Sequence, residues 1–155
     1  MVRSVFVAGA LLVGLAGCAK VPMQDSIESD MAKSFAEPAS DKSGVYIYRK
    51  SVLGSALKKD VWVDNNCVGQ TAPKVFFYLE VEGDREHQFT TLSEFSPNHL
   101  NLFTEGGKNY FIEQKIKLGV FVGGATLVEV NPETGMRDLK ALSIAQQGNC
   151  RRPSP

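Results

Sequence analysis

The chain lacks a surplus of charge of either sign. Its 17 Lys and Arg are matched by 17 Asp and Glu, for a formal net charge of +0. Without a basic excess there is no field to gather the phosphates of a nucleic acid, so no nucleic-acid partner is expected. Histidine is scarce: His87 and His99 are the two in 155 residues. They lack the i, i+4 or C-x-x-C company in which zinc sites are built, so no metal or other cofactor is expected. The pair is expected on the surface, on adjacent strands. Long apolar runs are missing as well. Val5–Ala16 and Leu118–Val128 both fall short of the ~20 residues that cross a bilayer as a helix.

Catalytic signatures are equally thin. Gly119, Gly123 and Gly124 lie in the run KLGVFVGGATL, from Lys117 to Leu127. This is neither a dinucleotide fingerprint nor a Walker loop, and it joins two expected strands with no helix to hold a pyrophosphate. Ser93-Glu94-Phe95-Ser96 has hydroxyls and a carboxylate but no orienting base. Ser143 has no nucleophile elbow around it. Glu80 and Glu94 are a carboxylate pair of the kind any β-protein offers. No enzymatic activity is expected.

What is present begins at the N-terminus. Arg3 gives a positive start, and Val5 to Ala16 form an apolar segment of secretory-signal length. The segment ends in Leu15-Ala16-Gly17-Cys18, which resembles the lipobox of bacterial lipoproteins. Residues 1–17 are therefore expected to be a signal peptide, with Cys18 the lipidation site. The resemblance implies several acyl chains on that cysteine, enough for a stable membrane anchor. Ala19, rather than aspartate, follows the cysteine. By enteric-type sorting that implies an outer-membrane anchor, with the domain on the periplasmic face.

Cys67 and Cys150 remain once Cys18 carries lipid. In an oxidising compartment this even pair is expected to form a disulfide. Two free thiols are the alternative.

Residues 18–43 read as a lipidated N-terminus and tether. Within them Met23, Ile27, Met31 and Phe35 recur every four residues, a short amphipathic helix that docks on the domain or frays. From Gly44 the period becomes two. Gly44–Arg49, Asp60–Asp64, Cys67–Gln70, Val75–Val81, His87–Phe95, His99–Thr104, Tyr110–Leu118 and Thr126–Val130 read as strands, with turns at Asn65-Asn66, Glu82-Gly83-Asp84, Ser96-Pro97-Asn98 and Glu105-Gly106-Gly107-Lys108. Asn131-Pro132 opens a helix whose stripe is Met136, Leu139, Leu142 and Ala145, stopped by Gly148. The expected fold is mainly β: an antiparallel β-sandwich of about seven or eight strands with a C-terminal helix. It occupies residues 44–150, with 151–155 as a tail.

GVYIYRKSVLGSALKKDVWVDNNCVGQ, FFYLEVEGDREHQFTTLSEFSPN and YFIEQKIKLGVFVGGATLVEV together resemble a domain of unknown function found in Gram-negative lipoproteins. The Val61–Gly69 stretch, followed by Thr71 and Pro73, is also similar to PEGA-type modules, small prealbumin-like β-sandwiches on envelope proteins. The Glu82–His87 turn departs from that pattern by lacking a proline. The resemblance implies no activity. It does mark Ser51–Leu57, Ser93–Asn98 and Leu118–Ala125 as signature segments.

Two of these segments are apolar, which loops meeting water usually are not. Either they pack on each other, or they form an exposed patch for a partner. The leading expectation is a non-enzymatic envelope lipoprotein that binds another envelope protein or a cell-wall component through these loops. Arg49, Lys58, Glu94 and Asn98 would be its polar contacts, around an apolar floor of Leu53, Phe121 and Val122. The alternatives are a structural lipoprotein without a ligand, or an inhibitor of a cell-wall hydrolase.

Overall fold

The protein is seen here as a computed structural model that describes residues 18–151. The expected signal peptide, residues 1–17, and residues 152–155 of the expected tail lie outside the described residues. Among the described residues the fold is mainly β, with nine strands in two sheets and one helix after the eighth strand. The elements are α1 (Ser26–Ala32), β1 (Lys42–Arg49), β2 (Lys59–Val63), β3 (Asn66–Thr71), β4 (Val75–Glu82), β5 (Arg85–Thr91), β6 (Asn98–Thr104), β7 (Asn109–Lys117), β8 (Gly124–Val130), α2 (Pro132–Leu139) and β9 (Ser143–Ile144).

One sheet runs β8-β7-β1-β4-β9 and the other β3-β2-β5-β6. Most neighbours are antiparallel, while β1 pairs with β7 and β4 with β9 in parallel. The alternation in β1 explains the layering. Val45 and Ile47 point into the space between the sheets, with Val61, Val63, Phe77, Phe89 and Ile112. Tyr46 and Tyr48 point to the outer face, where they pack with Phe76, Phe111, Leu139 and Leu142. Both faces of β1 are covered, so its residues from Ser43 to Arg49 are all buried. Burying the phenols is tolerated because each hydroxyl finds an acceptor. Tyr46 donates to the Ala32 carbonyl at 2.8 Å and Tyr48 to Asp138 Oδ2 at 3.0 Å. Gly135 lets α2 lie directly on Phe111, since a Cβ there would sit 2.3 Å from the ring.

Several local expectations shift. The β2–β3 turn is Asp64-Asn65, both at positive φ, with Val63 paired to Asn66. That is a two-residue hairpin, one position earlier than the Asn-Asn pair. The fifth strand stops at Thr91, which frees residues 92–97 as a loop. The C-terminal helix ends at Leu139. Leu142 and Ala145 are buried, but through the turn and the short β9 that follow. Their helical spacing was fortuitous.

The segment read as a tether is hydrogen-bonded to the domain. Ala19 N–H donates to the Ser55 carbonyl at 2.8 Å, Gln24 N–H to Ile144 at 3.1 Å, and Pro22 accepts from Gln146 N–H at 2.9 Å. The four-residue stripe does not mark its inner face. Phe35 packs edge-on against Tyr46 and Phe111, whereas Met23, Ile27 and Met31 are exposed. The inward side of α1 carries the small residues Ser29 and Ala32.

Cys67 and Cys150 form a disulfide, with Cα atoms 6.0 Å apart across a sequence separation of 83. It ties the C-terminal segment along the edge strand β3, where Gly148 N–H also donates to the Val68 carbonyl at 2.9 Å. A covered edge is no template for pairing with a second chain.

The histidines are a correction. His87 is buried, with Nδ1 2.6 Å from Asp64 Oδ2 and Nε2 2.8 Å from the Glu82 carbonyl. It fastens the β2–β3 turn to the β4–β5 turn. His99 is exposed and lies 2.9 Å from Thr90 Oγ1. The two are out of register: His87 sits opposite Leu102, and His99 opposite Thr90.

Candidate functional site

The parallel pairing of β1 with β7 brings the chain after Arg49 and the chain after Lys117 to one end of the sandwich. The β5–β6 loop reaches the same end. Thus 51–58, 92–97 and 118–123, remote in sequence, become neighbours.

The first and the third are each held by a polar side chain that binds their backbone groups. Arg49 has the same parity as Val45 and Ile47, so its side chain enters the sandwich and is fully buried. Its guanidinium donates to the carbonyls of Leu57 at 2.7 Å, Leu53 at 2.9 Å and Gly54 at 2.8 Å. Burial pulls its pKa down to about 10, so the group stays charged at neutral pH. Arg49 was expected to meet a partner. It instead clamps its own loop, because strand parity points it away from solvent.

Glu94 does the same for the third segment. Its carboxylate accepts the backbone N–H of Val120 at 2.8 Å, of Phe121, and of Val122 at 3.2 Å. Those donors, Phe121's first, hold its pKa below the usual glutamate value. Gly119 is required by this wrap, since a Cβ would fall 1.7 Å from the Val122 carbonyl oxygen and 2.5 Å from Glu94 Oε2. Asn98 Nδ2 donates to the Ala125 carbonyl at 2.9 Å, closing the base of the loop. Of the four polar residues singled out from sequence, three are internal fasteners. Lys58 is partly exposed, on a recess that Ala19, Leu57, Glu94 and Val122 also line.

The apolar residues divide between packing and exposure. Leu57 lies over Gly123, in space a Cβ would fill. The bases of the two greasy loops therefore pack together. Their tips do not: Leu118 is 85% exposed, Val120 78%, Phe121 84% and Val122 56%. Val52, Leu53 and Phe95 add to the same exposed end. Phe95, Leu118, Val120 and Val52 were not singled out as site residues. Phe95 was hidden in an overlong strand, and the others sat in runs that read equally well as core.

The carboxylates Glu80 and Glu94 are not brought together. Glu80 pairs opposite Gly44 in mid-sheet, near the other end. Ser143 lies on β9, beside Val75. Among the described residues no group of three or more His, Cys, Asp or Glu is arranged to hold a metal ion. No described helix is long and apolar enough to cross a membrane.

A family model described as "Protein of unknown function (DUF2846)" matches residues 39–125, a stretch that contains all three loop segments. An uncharacterized protein of Haemophilus influenzae is 48% identical over 143 residues, covering 92% of this chain and 83% of that protein. No solved structure matches. The family model spans more than half of the chain and the relative covers most of it, and the chain belongs to the DUF2846 family of proteins of unknown function.

Proposed function

We propose that this is a lipid-anchored lipoprotein of the bacterial cell envelope, held at the outer membrane through Cys18 on the periplasmic side. It acts as a non-enzymatic binding module, and the loop end of the sandwich is its contact surface for another envelope component. The relation of the sandwich to PEGA-type, prealbumin-like modules is part of the same proposal.

One observation carries it: large apolar side chains are held in solvent by a purpose-made internal fastening. Leu118, Val120, Phe121 and Val122 are exposed, yet the backbone beneath three of them is fixed by Glu94. A loop with no task would relax or turn these side chains inward. Preorganising an apolar surface lowers the entropy lost when it is covered.

The test has two parts. A Cys18→Ser change is expected to block processing and to shift the protein from membrane to soluble fractions. Unchanged recovery with membranes would remove the anchor. A photoreactive residue at Phe121 is expected to give an intermolecular adduct in cells, absent from the same probe at exposed Lys108. Adducts confined to the chain's own 51–57 loop would instead favour a purely structural lipoprotein.

A further inference from the structure

We infer that the component covered by the loop end is the bilayer that carries the Cys18 lipid, with Leu118, Val120, Phe121 and Val122 inserted at the head-group level. This rests on the lipid-anchored proposal and names the surface that the loops meet.

The first support is geometric. Ala19 is fixed to the Ser55 carbonyl at 2.8 Å and lines the same recess as Leu57 and Val122. Cys18 precedes it by one residue, a Cα step of about 3.8 Å. Acyl chains leaving Cys18 thus enter the membrane beside the apolar tip. A tether of 25 residues would let the domain drift. A docked Ala19 allows no such slack.

The second support is the polarity of the tip. A backbone that enters a bilayer interface must bring its hydrogen bonds with it. The N–H groups of Val120, Phe121 and Val122 are already taken by Glu94, whose charge is thereby turned toward the protein. Lys20 and Lys117 are exposed and Lys58 is partly so, around the same end. Lysines so placed can extend to lipid phosphates while their stems cover apolar surface.

The experiment uses the processed, lipidated protein in vesicles of phosphatidylethanolamine and phosphatidylglycerol with brominated acyl chains. With Cys18 lipidated and Cys67 bonded to Cys150, Phe121→Cys provides a single thiol for an environment-sensitive dye. Lys108→Cys provides the control, beyond the far end of the nine-residue β7, about 30 Å from the tip. The dye at 121 is expected to shift to the blue and to be quenched several-fold more than the dye at 108. A water-like dye at 121, on protein that floats with the vesicles, overturns the inference and leaves the anchor standing. Protein that does not float removes the anchor and the inference with it. An adduct from Phe121 to a protein rather than to lipid, in the cellular experiment, also overturns it.

Discussion

Replacing Arg49 by methionine removes a charge sealed inside the loop end while keeping most of the side chain's volume. Burial pulls the guanidinium down from its ordinary value to about 10, which corresponds to a loss of hydration of about 3 kcal/mol. Against this stand three bonds of 2.7 to 2.9 Å to the carbonyls of Leu53, Gly54 and Leu57. Hydrogen bonds to a charged group contribute roughly 1.5–3 kcal/mol each. The surplus of the bonds is about 3 kcal/mol, and Arg49→Met is expected to lose it. Urea unfolding at neutral pH measures the change, and amide exchange shows whether residues 51–57 open. Arg49→Lys is expected to fall between, since one ammonium cannot span the three carbonyls as a planar fork does. A loss below about 1 kcal/mol, the scale of an exposed pair, would refute the clamp. Arg49 would then be the outward contact that its sequence position first implied.

Reduction of the Cys67–Cys150 bond releases a span of 83 residues, which chain entropy values at about 4.5 kcal/mol. The urea midpoint is expected to fall accordingly, and the same midpoint in both redox forms would count against that estimate. Glu94 has a lowered pKa because it accepts the loop N–H groups. The loop order it provides is present above the unfolded glutamate value and is lost as pH falls through the lower folded value. Amide shifts of Phe121 are therefore expected to titrate with a midpoint below the ordinary 4.5; a midpoint at or above it would contradict the cradle. Gly135→Ala raises helix propensity by about 1 kcal/mol, yet its Cβ would sit 2.3 Å from Phe111. A net loss of about 1–3 kcal/mol is expected from overpacking, and a stabilised variant in thermal melts would show that α2 does not rest on that ring.

Much of the strand framework was legible because strands announce themselves by a period of two. Gly44–Arg49 and Val75–Val81 read correctly on both faces, since β1 is covered on both sides throughout and β4 over Val75–Phe77, and such strands carry aliphatic and aromatic residues in alternation. The helical stripes read less well. Met23, Ile27 and Met31 are exposed, and Leu142 and Ala145 are buried outside any helix. A period of three or four over a short stretch does not tell an inward face from chance. The candidate site was legible as a set of segments, not as roles. Glu94, Arg49 and Asn98 lie at the loop end, and their side chains bind the chain's own backbone there.

By itself the sequence determined the membrane-export expectation at its N-terminus, the β class, the cysteine pair and the order of the strands. Each depends on residues near one another in the chain, or on a count that no folding can alter. The tertiary structure decided the rest. Parallel pairing of β1 with β7 placed two distant loops side by side, strand parity turned Arg49 inward, and the early end of β5 let Glu94 reach three amides 26 to 28 residues away. Those outcomes depend on register and on which face of a sheet meets the other. A one-residue slip would reverse the facing without changing the composition at all. The docking of Ala19 beside Val122 is of the same kind. Nothing local in Cys18-Ala19 shows that the residue proposed to carry the lipid and the apolar loop end lie together, because only the closed sandwich brings Ser55 to meet Ala19.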